Sequence, residues 1–155
     1  MPLHIGVPPL QNVLRGNVPT FGGFSDVNPS NLQNATDGDT ASATGVGQKV
    51  MATAGIFGSI TFDLGTQKTI LVYGRINIYS SAGTQQVFVE TSDDNITWRT
   101  YPSAAYTKAT ASSANIIELL ATIVSGRYMR LNLYVNAAAT CYTAIHEIAA
   151  WELRL

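Results

Sequence analysis

The sequence contains few charged residues and almost no cysteine or histidine. Charged residues make up 12% of its 155 residues and the net charge is −1. Such a chain lacks the positive surface that attracts nucleic acid or anionic membranes, so we expect neither as a partner. A single cysteine, Cys141, excludes an intrachain disulfide, and its apolar neighbours favour a core residue, with an intermolecular bridge as the alternative. A nucleophilic role for Cys141 is less favoured still, because a catalytic cysteine needs a histidine base and the chain contains only His4 and His146.

Other absences narrow the class of protein further. No run of residues is long and apolar enough to cross a bilayer. The sequence has no Gly-x-Ser-x-Gly elbow, no His-Glu-x-x-His motif and no phosphate-binding loop, so we expect no enzyme activity. The N-terminus also lacks the basic region and apolar core of a secretory signal peptide. We expect either that Met1 is the natural start of a protein released without such a signal, or that the domain was excised from a longer secreted protein.

Apolar and polar residues alternate over many short segments. Residues 128–135 show the clearest period of two, and weaker repeats cover residues 60–64, 76–78, 85–91, 96–101 and 151–155. Asp93-Asp94-Asn95 predicts a hairpin turn with Asn95 in the left-handed region. Residues 116–124 also fit a helix face, but β-branched residues favour a strand followed by a turn at Ser125-Gly126. The pattern predicts an all-β sandwich.

The first 23 residues differ from the rest of the chain. They hold four of the six prolines, yet they are too apolar for a disordered tail. We expect residues 1–23 to form an extended arm that packs on its own domain or on a neighbouring subunit, and residues 24–155 to form the sandwich. An irregular first strand of the same sandwich is the alternative. Glycines indicate an irregular exposed excursion at residues 48–57. There Met51, Ile56 and Phe57 form either an exposed apolar spike or a surface that packs in the core or at a subunit interface, and packing is favoured.

Several short motifs occur in a fixed order over about residues 30–155. They are Asp37-Gly38-Asp39, Asp63-Leu64-Gly65, Ile76–Tyr79, the hairpin with Ser92, Asp94 and Trp98, Arg127–Leu131, and Glu147-Ile148 with Leu153. In this order they resemble the discoidin family, which includes the coagulation-factor type C domains and the family 32 carbohydrate-binding modules. The resemblance implies an all-β, eight-stranded antiparallel jelly-roll β-sandwich that binds rather than catalyses. We expect Trp98 in the core, Arg130 in strand packing or an ion pair, and Asp63 as a turn acceptor.

The resemblance also implies one structural Ca²⁺. In the family, the early Asp-Gly-Asp turn and a glutamate near the C-terminus meet around the ion, which takes about six to eight oxygen ligands. Carboxylates are expected from Asp37 and Glu147, and carbonyl or hydroxyl oxygens from Asn34, Asp39, Thr40 or Ser42. The alternative is a metal-free turn with Glu147 exposed or paired.

A ligand site is harder to place. Sugar-binding relatives carry an arginine, a histidine or asparagine and an aromatic residue on loops at one end of the sandwich, but the loop after Tyr79 contains neither arginine nor an aromatic residue. The remaining candidates are Gln48, Lys49, Tyr106, Lys108, Asn136 and Tyr142.

Two functions fit these features. The first is a structural accessory protein of a phage particle, such as a capsid decoration or tail protein, fastened through its arm to capsid or tail proteins or to copies of itself. The second is a carbohydrate-binding module excised from a secreted glycoside hydrolase or adhesin. Both place the protein on a virion surface or outside the cell, and both allow host-surface glycans as partners.

Overall fold

The computed structural model of the chain describes residues 11–27, 36–38, 44–109 and 115–154. Eight β-strands account for the regular structure of these ranges: β1 (Thr20–Gly22), β2 (Asp26–Val27), β3 (Thr44–Met51), β4 (Gly55–Ser80), β5 (Thr84–Ser92), β6 (Arg99–Ala109), β7 (Asn115–Val135) and β8 (Ala139–Glu152). Within the same ranges, no helix long and apolar enough to cross a membrane is found.

The two longest strands, β4 and β7, take part in both layers of the sandwich. In the first layer, residues 55–63 of β4 pair with the end of β7, which pairs with β5 and then β6, while β1 lies on the other side of β4. In the second layer, residues 68–80 of β4 pair with the start of β7 and with β8, followed by β3 and β2. All of these pairings are antiparallel, as the sequence predicted.

The sheet folds over where β4 passes Gly65 and β7 passes Gly126. Gly65 has a φ of +78°, in the left-handed region that favours glycine. A Cβ on Gly126 would lie 2.8 Å from Cβ of Thr91, so only glycine fits there. The predicted turn at Ser125-Gly126 is wrong, because β7 continues through these residues and the ladder with β4 resumes after a register shift.

The core lies between the two layers and is built from alternate strand positions. Ile60 and Phe62 of the first layer and Ile76 of the second are fully buried. Phe57 is also buried and belongs to β4, so the predicted exposed excursion at residues 48–57 is wrong; strand pairing continues on both sides of a short turn. Cys141 is fully buried, as predicted, and burial raises the pKa of its thiol to about 11.

Residues 11–22 of the predicted arm contact the sandwich. Leu14 is fully buried in the core, and the Val13 N–H donates to the carbonyl oxygen of Ala150 at 2.8 Å. β1 then pairs with residues 59–61 of β4. This half of the arm therefore packs on its own domain. Residues 1–10 lie outside the described residues, and the domain boundary at residue 23 stays a prediction.

Candidate functional site

An open cleft of about 370 Å³ lies on the outer face of the first layer, near the end where the sheet folds over. Its strand positions alternate with buried core residues, so the pleat of the sheet turns them outward. Each lining side chain carries a hydrogen-bonding group, and one adds an aromatic ring. The volume falls at the lower end of the range of roughly 300–1,000 Å³ that is usual for ligand pockets. The lining residues are Thr20, Thr61, Asp63, Asn95 and Tyr128.

An ion pair holds two charged groups beside the cleft. Arg127 donates from Nη2 to Asp63 Oδ2 at 3.0 Å and from Nε to Asp63 Oδ1 at 3.2 Å, and its Cζ lies 4.9 Å from the centroid of the Tyr128 ring. Asp63 Oδ1 also accepts the Gly65 N–H at 2.8 Å, which confirms its predicted role as a turn acceptor. The Arg127 guanidinium and this N–H hold the pKa of Asp63 below its ordinary value.

The ion pair between Asp63 and Arg127 lies at the protein surface. The two side chains are 44% and 46% exposed, and ion pairs at such exposure contribute little to stability because water screens them. Both groups remain accessible to a ligand in the cleft.

The turn that carries Asn95 is built by Asp94. Its Oδ1 accepts the N–H groups of Thr97 and Ile96 at 2.8 Å each, and the Ser92 hydroxyl donates to the same oxygen at 2.8 Å. These donors, the Thr97 N–H first, hold the pKa of Asp94 well below its ordinary value. Asn95 has the predicted left-handed backbone, with a φ of 62°. The hairpin motif therefore fixes Asn95 at the edge of the cleft.

Farther along β7, two side chains of this strand join a hydrogen-bond network around Glu90 of the neighbouring strand β5. The Glu90 carboxylate accepts from Arg130 Nε, from Asn132 Nδ2 at 2.6 Å and from the Thr100 hydroxyl at 2.8 Å. Arg130 is therefore in an ion pair, as predicted. Its Cζ lies 3.9 Å from the centroid of the Trp98 ring. The predicted core position of Trp98 is wrong, since this ring is partly exposed and packs against the Arg130 guanidinium rather than against core residues.

Three of the predicted ligand residues lie on the second layer. Gln48 of β3 pairs with Tyr142 of β8, and both are exposed. On its other side Tyr142 pairs with Tyr79 of β4. Lys49 follows Gln48 and is only partly exposed. Gln48 and Tyr142 therefore form a small polar and aromatic surface, away from the cleft.

The other three are placed elsewhere. Asn136 lies in the turn between β7 and β8, where its Oδ1 accepts the Thr84 N–H at 2.6 Å, so it holds two turns together. Tyr106 and Lys108 lie on β6 opposite Val87 and Gln85, and their side chains lie outside the description. The six residues stay a prediction as a ligand site.

Two of the predicted calcium ligands fall within the described residues. Glu147 is only 3% exposed, and its Oε2 lies 3.1 Å from the N–H of Gly38, from which it accepts a hydrogen bond. Asp37 precedes Gly38 and is exposed. The turn and the distant glutamate therefore meet, as a shared ion would require. Asn34, Asp39, Thr40 and Ser42 lie outside the described residues, and the described part holds no group of three or more His, Cys, Asp or Glu side chains suited to a metal.

The cleft residues were not predicted as a site from the sequence. Asp63 and Asn95 were assigned to turns and Tyr128 to a strand alternation. One signal was present: Asp63 ends one motif and Tyr128 begins another, and outward polar positions at the ends of paired strands can meet. The pairing of Asp63 with Tyr128 could not be read from the sequence alone.

No family model and no curated protein matches the chain. Solved structures do. They include CpGH89CBM32-6 from Clostridium perfringens (TM-score 0.56, 20% identity, 92% of this chain and 100% of that chain) and CBM32-3 from a family 31 glycoside hydrolase of Clostridium perfringens (0.53, 17%, 93% and 95%). A third is chitosan-binding module 2 from the chitosanase/glucanase of Paenibacillus sp. IK-5 (0.53, 16%, 90% and 99%). The chain therefore has the galactose-binding-like jelly-roll fold of the family 32 carbohydrate-binding modules, as its discoidin-like motifs predicted.

Proposed function

We propose that the chain is a non-catalytic carbohydrate-binding module that holds a glycan in the cleft beside Tyr128. The observation that carries this proposal is one partly exposed aromatic ring surrounded by a carboxylate, an amide and two hydroxyls. A pyranose ring has an apolar C–H face and an edge of hydroxyl groups. It is recognised by an aromatic surface together with a few fixed polar groups, and the cleft supplies both.

The charges in the cleft favour an uncharged glycan. Asp63 accepts hydrogen bonds and Arg127 donates them, and their bidentate pairing leaves no net charge. Because the pair is already formed in the free protein, little ordering is needed when a ligand binds. Sugar hydroxyls both donate and accept, so they match this pair.

The solved modules support the same proposal. The Paenibacillus module was solved with chitotriose, and CpGH89CBM32-5 from Clostridium perfringens (TM-score 0.51, 14% identity, 90% of this chain and 99% of that chain) with GalNAc-β-1,3-galactose. They favour the excised module of a glycoside hydrolase, acting outside the cell, over the phage accessory protein. Binding to capsid or tail proteins and self-association through the arm stay predictions.

The test is glycan binding by the full chain and two matched tyrosine variants. A glycan array identifies ligands, and calorimetry with chitotriose and GalNAc-β-1,3-galactose gives affinities. We expect Tyr128→Ala to weaken binding about tenfold or more, the order expected from loss of one aromatic contact. Tyr142→Ala removes an exposed tyrosine from the second layer, and we expect it to leave the affinity unchanged.

The two variants separate the function from its location. If Tyr142→Ala abolishes binding and Tyr128→Ala does not, the module binds glycans at the sequence-predicted surface with Gln48, and the cleft assignment is wrong. If the wild-type chain binds no glycan on the array, the carbohydrate-binding proposal itself is refuted.

We further propose that Glu147 and oxygen atoms from residues 34–42 hold one structural Ca²⁺. The buried Glu147 carboxylate accepts a hydrogen bond from the Gly38 N–H, and the ion would tie this part of the chain to β8 through oxygen ligands. Added Ca²⁺ should raise the melting temperature, by the equivalent of about 2.7 kcal/mol at a hundredfold excess over Kd. Glu147→Gln should remove this increase and Glu152→Gln should retain it. If the melting temperature of the wild type is the same in Ca²⁺ as in EDTA, the site is refuted.

A further inference from the structure

We infer that the cleft is one end of an extended glycan-binding surface along β7, which takes several consecutive rings of a neutral polysaccharide rather than a single sugar. We call this surface the β7 stripe; it consists of Tyr128, Arg130 and Tyr134, with Trp98 and Phe88 beside them. The inference rests on the proposed function, since it names the class of glycan that the same site would bind.

The stripe follows from the geometry of the strand. Tyr128 and Tyr134 are six positions apart and lie on the same face, because side chains of a strand alternate in direction. The intervening core positions, Met129, Leu131 and Leu133, are fully buried on the other face. At about 3.3 Å per residue, the two tyrosines are roughly 20 Å apart. One sugar ring cannot span this distance, but an extended chain can.

The far end of the stripe offers a second stacking surface. Tyr134 and Phe88 meet edge to face, with ring centroids 6.2 Å apart and planes at 73°. Ile56 of β4 lies opposite Tyr134 in the sheet and is 50% exposed. An aromatic pair with an exposed aliphatic neighbour matches the apolar faces of pyranose rings. Tyr128 supplies the corresponding ring at the cleft.

The middle of the stripe is polar and held in place. Arg130 is fixed by Glu90 through Nε and by the Trp98 ring, and its Nη groups have no hydrogen-bond partner among the residues that the structure describes. Its side chain is 26% exposed, so these groups can donate to glycan hydroxyls. Asn132 is only 3% exposed and donates to Glu90 from beneath the stripe, and a surface fixed in this way loses little entropy on binding.

The charge of the stripe selects the polymer. Arg130 pairs with Glu90, and Arg127 pairs with Asp63 at the cleft. Both of these arginines are therefore matched by a carboxylate. An anionic polysaccharide would meet a carboxylate beside each arginine, whereas a neutral chain meets donors and acceptors without net repulsion. The occupant that fits is an uncharged, extended polysaccharide.

The experiment is calorimetry of the full chain with two uncharged series, N-acetylated chito-oligosaccharides and cello-oligosaccharides, from the monosaccharide to the hexasaccharide. We expect affinity to increase with length until the ligand spans the stripe. Tyr134→Ala should weaken hexasaccharide binding about tenfold while leaving disaccharide binding unchanged, since only long ligands reach it. Tyr134→Phe keeps the ring and should bind as the wild type does. Tyr128→Ala should weaken binding at every length, and thermal melting verifies that each variant is folded.

The outcomes distinguish this inference from the proposed function. Glycan binding that is independent of length and unchanged by Tyr134→Ala overturns the β7 stripe and leaves a carbohydrate-binding module with a short site. Length-dependent binding that only Tyr142→Ala reduces also overturns the stripe. Failure of the wild type to bind any oligosaccharide of either series or any glycan on the array overturns both the inference and the proposed function.

Discussion

Replacing Leu14 by alanine tests whether the N-terminal segment belongs to the domain. Leu14 is fully buried in the core, and its N–H donates to Asn12 Oδ1 at 3.0 Å, while the same oxygen accepts the Ala150 N–H at 3.2 Å. The two residues directly before the leucine, Asn12 and Val13, therefore tie the segment to Ala150 of β8. Removing a fully buried leucine side chain leaves a cavity and costs about 2–5 kcal/mol. For a domain of this size, we expect the melting temperature to fall by roughly 4–20 °C.

Val18→Ala is the matched control, because Val18 belongs to the same segment and is 58% exposed. Surface substitutions of this kind change stability by about 0.5 kcal/mol or less. Urea unfolding followed by tryptophan fluorescence gives the free energy of unfolding of each variant. An unchanged m-value would show that the denatured states are comparable. If Leu14→Ala shifts the free energy of unfolding by no more than Val18→Ala does, residues 11–22 do not pack as described and our reasoning is wrong.

Three further predictions concern other parts of the sandwich. The lowered pKa of Asp94 contributes stability that is present above its ordinary value of 3.8 and is lost as the pH falls through the lower folded value; Asp94→Asn should therefore flatten the decrease in melting temperature measured from pH 4 to pH 2, and an identical decrease in both proteins would contradict this. Gly58→Ala would place a methyl group against the Phe24 ring and should cost about 1–3 kcal/mol in thermal unfolding, whereas Gly55→Ala meets only the flexible end of Met51 and should cost less. The Cys141 thiol, buried and with its pKa raised to about 11, should react with a thiol reagent only as fast as the protein unfolds, so fast labelling of the folded protein at pH 8 would show that the strand opens locally.

The fold could be predicted from the sequence because its signals are local. The alternation in residues 128–135 identifies one strand, and Asp94 and Asn95 form the expected hairpin turn. The ordered motifs then relate these pieces to a known jelly-roll. The length of β4 and β7 was not predictable in the same way. Gly65 and Gly126 resemble turn residues, yet they let each strand cross from one layer to the other, which depends on the pairing of distant segments.

The candidate site could be predicted only in part for a related reason. Glu147 and the turn at Gly38 were expected to meet, since the family motif specifies both partners. Trp98 was assigned to the core because tryptophan is usually highly buried. No local pattern indicates that Arg130 of β7 pairs with Glu90 of the neighbouring strand β5 and covers the Trp98 ring. The cleft likewise gathers residues from β1, β4, β7 and a turn, and such a surface is defined only after the strands have paired.

The contacts of the N-terminal segment also change what its deletion would mean. The Asn17 amide donates to the main-chain oxygen of Asp63 at 3.1 Å, and Thr20 lines the cleft while pairing with Thr61. The Thr36 hydroxyl donates to the Asn17 carbonyl at 3.0 Å, which connects the same segment to the turn that faces Glu147. A chain lacking residues 1–22 would lose one wall of the cleft and a core side chain together. A change in its solution mass would therefore report damage to the domain as readily as loss of an assembly contact, so point substitutions such as Val18→Ala are the sounder test of self-association through this segment.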